Sequence, residues 1–284
     1  MQNVRLQFEQ HNDYRTREAF KTLRTNIEFC GDAKVLAVTS CTPNEGKSSI
    51  AMEMAKAFAE AGNRTMLVDA DMRKSVLVGR YKTGAVRMGL THCLAGKADY
   101  MDAMCETNVP GLYVTFSGPV PPNPSELLGG EKFASVIRRL KEIFDYVIID
   151  TPPLGSVIDA AVAAKNCDGV VLVIENNAIS YKFAQRVKDQ LDKAESRILG
   201  VVLNKVDMTG KGYYGHYGKY YGKYYGKYYG RYGEDSIERK ASDAAVRPYR
   251  EDITGEDLRK DFAGKAEGET AEGESADTEY LEDI

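Results

Sequence analysis

A chain of 284 residues that is 43% hydrophobic and 28% charged has material for one sizeable core, with length to spare. Its five scattered cysteines form no CxxC pair and its histidines number three, which argues for a reducing cytosol and against disulfides, zinc or a multi-histidine metal site. The net charge of −4 is split unevenly: 211–232 carries five Lys/Arg and no acid, whereas 233–284 carries 17 Asp/Glu against 7 Lys/Arg.

In chain order, residues 14–30 read as an N-terminal helix. From about residue 34, short β-branched runs alternate with helical patterns. Strands are expected at 34–40, 64–70, 112–117, 146–150, 169–174 and 198–204, and helices at 47–61, 131–143, 156–166 and 179–195. The strands are nearly continuous apolar runs, as expected where both faces are covered. Alternation of this kind predicts an α/β fold over 1–210: a doubly wound, mostly parallel sheet with helices on both faces. After Asn204 the pattern stops. Residues 211–233 repeat GKYY units with too little variety for a packed core, and 234–284 are acidic; both are expected to be largely disordered, with a short helix near 256–262. No apolar run approaches the roughly 18 residues of a membrane span and no basic-then-apolar leader opens the chain, so the expected site of action is cytoplasmic, with membrane contact through a partner.

The strand at 34–40 runs into CTPNEGKSS, 41–49. Gly46-Lys47-Ser48 at a strand-to-helix junction has the form of a P-loop terminus, in which backbone N–H groups and a helix N-terminus cradle phosphate oxygens. Thr42, Pro43, Asn44, Glu45, Gly46, Lys47, Ser48 and Ser49 are the expected phosphate-binding residues. Lys47 would reach the β- and γ-phosphates, and the Ser48 hydroxyl would bind Mg²⁺. Cys41 occupies the place of the first glycine of the full pattern. In MLVDADMR, 66–73, Asp69 and Asp71 follow an apolar strand at a spacing that puts both on one side of an extended chain, able to meet one metal or substrate. In YVIIDTPP, 146–153, Asp150 ends a strand expected beside the P-loop strand, where a carboxylate orders the water shell of magnesium. Asn204-Lys205-Val206-Asp207 matches the four-residue NKxD guanine-reading pattern. A base-contacting role for Asn204 is expected, and the spacing leaves ATP and GTP both open.

Ser40–Ser48, the Asp69–Asp71 pair, IIDTPP at 148–153 and the tyrosine cluster together resemble the bacterial tyrosine kinases of capsular and extracellular polysaccharide synthesis. The resemblance extends over roughly 14–232 and includes GPVPPNPSELL, 118–128, whose chemistry the residues alone do not give. It implies ATP and Mg²⁺, with Lys47, Asp69, Asp71 and Asp150 catalytic and Ser48, Asp71 and Asp150 on the metal. It also implies a ring-like homo-oligomer that phosphorylates its tyrosines in trans and an activating transmembrane polysaccharide co-polymerase on a separate chain, which would bring the kinase to the inner face of the membrane. A phosphotyrosine phosphatase is a further expected partner. Glu18, Lys21 and Arg24 resemble the family's ExxRxxR oligomerisation motif, with Lys21 in place of arginine and so without a bidentate donor. Ser75 stands where the family tends to have proline, a difference expected to be without consequence. The alternative is a nucleotide switch of the ParA/MinD class with a self-associating Tyr/Gly tail, but Thr42 occupies the place of that class's additional lysine.

The candidate phosphoacceptors are Tyr213, Tyr214, Tyr217, Tyr220, Tyr221, Tyr224, Tyr225, Tyr228, Tyr229 and Tyr232. A glycine-rich tether brings many hydroxyls to one active site at high effective concentration. Basic–aromatic interleaving also binds single-stranded nucleic acid by stacking; behind a P-loop domain with paired aspartates, the phosphoacceptor reading is taken and no nucleic-acid partner is expected. Asp69 is the residue expected to face the phenol and orient or deprotonate it. An ordinary carboxylate, with a pKa of about 3.9, is a weak base for a phenol near 10, so positioning is expected to matter more than early proton removal.

Overall fold

The computed structural model describes residues 1–8, 14–206 and 255–264. The tyrosine cluster, Asp207 and most of the acidic segment lie outside the described residues.

Eight strands form one sheet in the order β1-β4-β5-β3-β6-β2-β7-β8. The six expected strands are β2 (Val35–Ser40), β3 (Thr65–Asp69), β5 (Leu112–Thr115), β6 (Tyr146–Asp150), β7 (Gly169–Glu175) and β8 (Ile198–Asn204), all parallel to their neighbours among these six. Two short strands were not expected: β1 (Gln2–Asn3), and β4 (Met104–Glu106), which runs antiparallel to β5.

Side chains alternate across the sheet as the pleat requires. Leu36 and Val38 of β2, Leu67 of β3 and Ile148 of β6 face a core shared with α1 (Tyr14–Glu28) and α2 (Lys47–Glu60). Val35, Met66, Val68, Val147 and Ile149 face the opposite core, closed by α4 (Leu90–Leu94), α5 (Tyr100–Ala103) and α7 (Glu131–Ile143). Beyond it, α8 (Asp159–Ala164) and α9 (Tyr181–Lys193) cover β7. Two short helices, α3 (Leu77–Arg80) and α6 (Pro124–Gly129), lie in the connections, and α10 (Gly255–Gly264) falls where the short helix near 256–262 is expected.

Two boundaries differ from expectation. Helix α8 starts at Asp159 rather than near 156, because Pro152-Pro153 leads into a turn in which Ser156 N–H donates to the Pro153 carbonyl at 3.0 Å. Strand β8 is an edge strand, with Val201 57% and Leu203 43% exposed, so its apolar run is not covered on both faces. Among the described residues, no helix is long and apolar enough to cross a membrane.

Candidate active site

The carboxyl ends of β2, β3 and β6 lie side by side, with Asp69 in register with Asp150 and Val38 in register with Asp150. Such an end of a parallel sheet is where ligands bind in open α/β folds. The loop after β2 turns into α2 through Asn44 (φ 69°) and Gly46 (φ 95°), both left-handed. Gly46 is required twice over: its φ disfavours a side chain, and a Cβ there would come within 2.2 Å of Asn204 Nδ2. Cys41 needs no left-handed backbone, which explains how the loop forms without glycine at that place. Its thiol is fully buried, and burial pushes its pKa up to about 12, so it is chemically quiet.

Glu45 does not face the cavity. Its Oε2 accepts from the N–H groups of Cys41 (2.7 Å) and Thr42 (2.9 Å) and folds the loop back on itself. Asn204 acts on the same loop from outside: Nδ2 donates to the Glu45 carbonyl at 2.8 Å. Lys205 Nζ donates to the Asn44 carbonyl at 2.9 Å and pairs with Glu175 at 2.7 Å. The expected base contact of Asn204 is therefore joined by a different role, that of holding the phosphate loop.

A cavity of about 740 Å³ opens over this loop. Pro43, Asn44, Gly46, Lys47, Ser48, Ser49, Asp71 and Asn204 line it, whereas Thr42, Glu45, Asp69 and Asp150 do not. Lys47 Nζ sits 2.8 Å from Asp71 Oδ2, 3.1 Å from Ser48 Oγ and 3.6 Å from Asp150 Oδ1. Burial works to lower the Lys47 pKa, but Asp150 and Asp71 outweigh it and the ammonium is held charged. The fully buried Asp150 accepts no close hydrogen bond on either oxygen; its neighbours are the Lys47 ammonium and the Ser48 hydroxyl, and burial outweighs both and raises its pKa.

Asp69 differs from its expected placement. It is fully buried, and Oδ2 accepts from the Ser75 hydroxyl and, at 3.4 Å, from Ser117 N–H, while Oδ1 has no partner. Burial, with Asp150 next in weight, pushes its pKa up to about 7. Ser75 is thus not without consequence: where the family tends to have proline, this chain has a hydroxyl that fixes the carboxylate expected to meet the phenol.

Sequence reasoning missed several residues of the same cavity. Arg73, Lys74, Arg80 and Lys205 ring it with positive charge. Arg73 is itself anchored: Nε and Nη2 reach Asp159 Oδ2 and Oδ1 at 2.7 and 3.0 Å. Ser125, at the start of α6, donates to Asp159 at 2.6 Å and accepts from Arg73 at 3.1 Å. The segment 118–128 therefore delivers a hydroxyl to an arginine–aspartate knot at the cavity wall. Arg80 Nη1 donates to Ser49 Oγ. The charges of α1 do not form one free face: Lys21 pairs with Glu18 at 2.8 Å in solvent, while Arg24 turns onto α2 and donates to the Ala57 carbonyl at 3.2 Å.

The site fits a nucleotide with its metal. A tight left-handed glycine turn opens a 14-residue helix toward the cavity, a charged lysine stands over it, and a buried carboxylate with no close hydrogen bond lies behind that lysine. Among the described residues no three His, Cys, Asp or Glu side chains cluster as a metal site; a magnesium bound with nucleotide takes most of its ligands from phosphates and water. Fold and site together define a P-loop nucleotide-binding protein.

Residues 33–201 match the AAA domain family. The chain is 47% identical over 208 residues to the tyrosine-protein kinase CpsD of Streptococcus agalactiae, covering 72% of this chain and 91% of that one. Among solved structures, the chimerical protein CapA2B2 matches with a TM-score of 0.66 and 33% identity, over 72% of this chain and 94% of its own. The kinase domain of the Escherichia coli tyrosine kinase ETK matches with a TM-score of 0.66 and 26% identity, over 75% and 93%. The chain belongs to the bacterial tyrosine-kinase family.

Proposed function

We propose that this kinase transfers the γ-phosphoryl group of ATP to the tyrosines at 213–232 of a neighbouring copy, and that it regulates capsular or extracellular polysaccharide synthesis and export. The observation that carries the reading is the Lys47–Asp71–Asp150 cluster at the base of a cationic cavity. Bound Mg²⁺ would be held by Ser48, Asp71 and, through water, Asp150, and would neutralise charge on the phosphates. With nucleotide and metal present, Lys47 would give up its ion pair with Asp71 to hold phosphate oxygens, and Asp71 would be free to hold the metal. The N–H groups at the start of α2 orient the phosphates. Arg73 and Arg80 line the approach, where a phenol in line with the γ-phosphate would enter. Asp69 lies buried beneath that approach and would orient the phenol only after Ser75 releases it and the site opens to expose it; a pKa near 7 would then make it a better base for a phenol than an ordinary carboxylate.

The proposed assembly is a ring-like homo-oligomer, with Glu18, Lys21 and Arg24 at its interface. A separate transmembrane co-polymerase would recruit the ring to the inner face of the membrane, and a phosphotyrosine phosphatase would reset it. Each phosphotyrosine adds about −1.5 to −2 charge, so a few convert the basic segment to an acidic one and weaken tail docking to acidic sites. Phosphorylated and phosphatase-treated protein should then elute at different sizes on gel filtration; equal sizes would remove this part of the proposal. The core assignment is tested with radiolabelled ATP. A kinase retains label on tyrosine, whereas release of inorganic phosphate without labelled tyrosine, with the activator fragment present, would favour the nucleotide switch instead.

A further inference from the structure

A second cavity of about 740 Å³ lies away from the nucleotide site and shares no lining residue with it. Its walls come from α4, α5, α7 and α10, which contributes Arg259 and Phe262 and packs against the α4–α5–α7 face beside the cavity. Helix α10 places Leu258 and Phe262 four residues apart, on one face. Leu258 has no solvent exposure and joins the core that backs β3 and β6. Phe262 stacks on Tyr100 with ring centroids 5.5 Å apart and planes 18° apart. Arg139 of α7 lies over the Phe262 ring at 5.8 Å and donates to the Phe262 carbonyl, so the same side chain grips the ring and satisfies a carbonyl of the last turn. This contact set is specific: an aliphatic anchor, an aromatic stack and a cationic cap. Helix α10 also lies outside the 33–201 family match.

We propose that α10 is a clasp. The α4–α5–α7 groove takes this chain's own Leu258–Phe262 face, and seating it fixes Gly255 on the kinase domain. The chain between Val206 and Gly255, which contains all ten candidate tyrosines, is then held at both ends instead of one. The added restraint falls hardest on Tyr232, 23 residues before Gly255 in the sequence, and least on Tyr213, only 7 residues after Val206, because reach from an anchor is limited to roughly 3.4 Å per residue. Opening the clasp extends the range of the distal tyrosines toward another subunit's cavity and leaves the proximal ones unchanged. The groove thus selects which tyrosines are modified, a role that rests on the kinase reading above.

The chain contains no tryptophan, so Phe262→Trp supplies a single reporter. Its emission is expected to be blue-shifted and shielded from acrylamide, and to become red-shifted and quenchable when Leu258→Asp is added. A solvent-exposed spectrum that Leu258→Asp leaves unchanged overturns the clasp. A spectrum that reddens on dilution also overturns it, because the seat would then be filled by another copy. In the chain with its natural Phe262, Leu258→Asp should raise phosphorylation at Tyr229 and Tyr232 severalfold relative to Tyr213, read by mass spectrometry. An unchanged distribution overturns the selecting role. Absence of all phosphotyrosine in the parent protein would instead sink the kinase reading, and the emission measurement would still decide whether α10 is seated.

Discussion

Asp150 and Asp159 are both sealed from solvent at the edge of one cavity, yet their surroundings are opposite. Asp159 receives two nitrogens of Arg73 and the hydroxyl of Ser125, and these hydrogen bonds overcome the effect of burial and hold its pKa below the usual carboxylate range. Asp150 has a lysine standing 3.6 Å away and the Ser48 hydroxyl nearby, with no close hydrogen bond on either oxygen, and burial wins. A satisfied buried carboxylate is structure. One that lacks close hydrogen bonds is a candidate for a role in function. The arginine–acid and lysine–acid pairs differ too: Arg73 is locked in a fork geometry on one carboxylate, while Lys47 is divided between Asp71 at 2.8 Å, Ser48 at 3.1 Å and Asp150 at 3.6 Å.

The largest test of this contrast is Lys47→Met. If the lysine is the phosphate-binding cation, phosphotyrosine formation should fall by at least about 10³-fold, measured by labelled ATP on protein made alone. Strong labelling in that variant would move the active site elsewhere. On the structural side, Arg73→Ala leaves Asp159 buried with Ser125 alone. The expected cost is about 1–3 kcal/mol, toward the lower end because the Arg73 head is 40% exposed and already partly hydrated. Urea unfolding measures it. Asp150→Asn should behave in the opposite sense, abolishing activity while leaving the nucleotide-free protein at least as stable as the parent; a loss like that of Arg73→Ala would erase the distinction between the two aspartates.

Asp69 sharpens the comparison through pH. Its carboxyl is protonated up to about pH 7 in the folded protein and, by the ordinary value, only to about 4 in the unfolded chain. Between those values the folded state binds more protons, so stability is greatest below about 4 and falls as pH rises to 7. Asp150 contributes in the same direction, so the parent must be compared with Asp69→Asn. The variant should show a flatter profile and, at pH 8, greater stability by about 1 kcal/mol, or roughly 2–4 °C in Tm. Coincident profiles would mean that the Asp69 carboxyl titrates normally.

What was legible in the sequence follows from what signals locally. Strands β2, β3 and β6 are buried on both faces and announce themselves as unbroken apolar runs; Lys47, Asp71 and Asp150 sit at their ends or just beyond, so strand and motif identify each other. Strands β1 and β4, two and three residues long, carry no period to detect. Arg73 gives no local signal, because its partner is 86 residues away in the chain. The inward turn of Asp69 escaped the i, i+2 argument because β3 ends at Asp69 and the backbone that carries Asp71 is no longer strand. Ser75 and Ser125 are short hydroxyls whose meaning lies wholly in a carboxylate delivered by a different element.

The finest test concerns Asn204. Pattern alone expects a base contact, whereas its amide nitrogen holds the Glu45 carbonyl and leaves no room for a Cβ on Gly46. If holding the loop is the role, Asn204→Ala removes one hydrogen bond worth about 0.5–1.5 kcal/mol and loosens the phosphate cradle for every nucleotide alike. Affinity for ATP and GTP should then fall together, by a factor of roughly 2–10, with their ratio unchanged. A selective loss for one base would return Asn204 to the base-reading role. Gly46→Ala adds the discriminating control: if crowding against Asn204 contributes to its defect, Asn204→Ala should partly rescue it, leaving only the strain of a side chain at φ 95°.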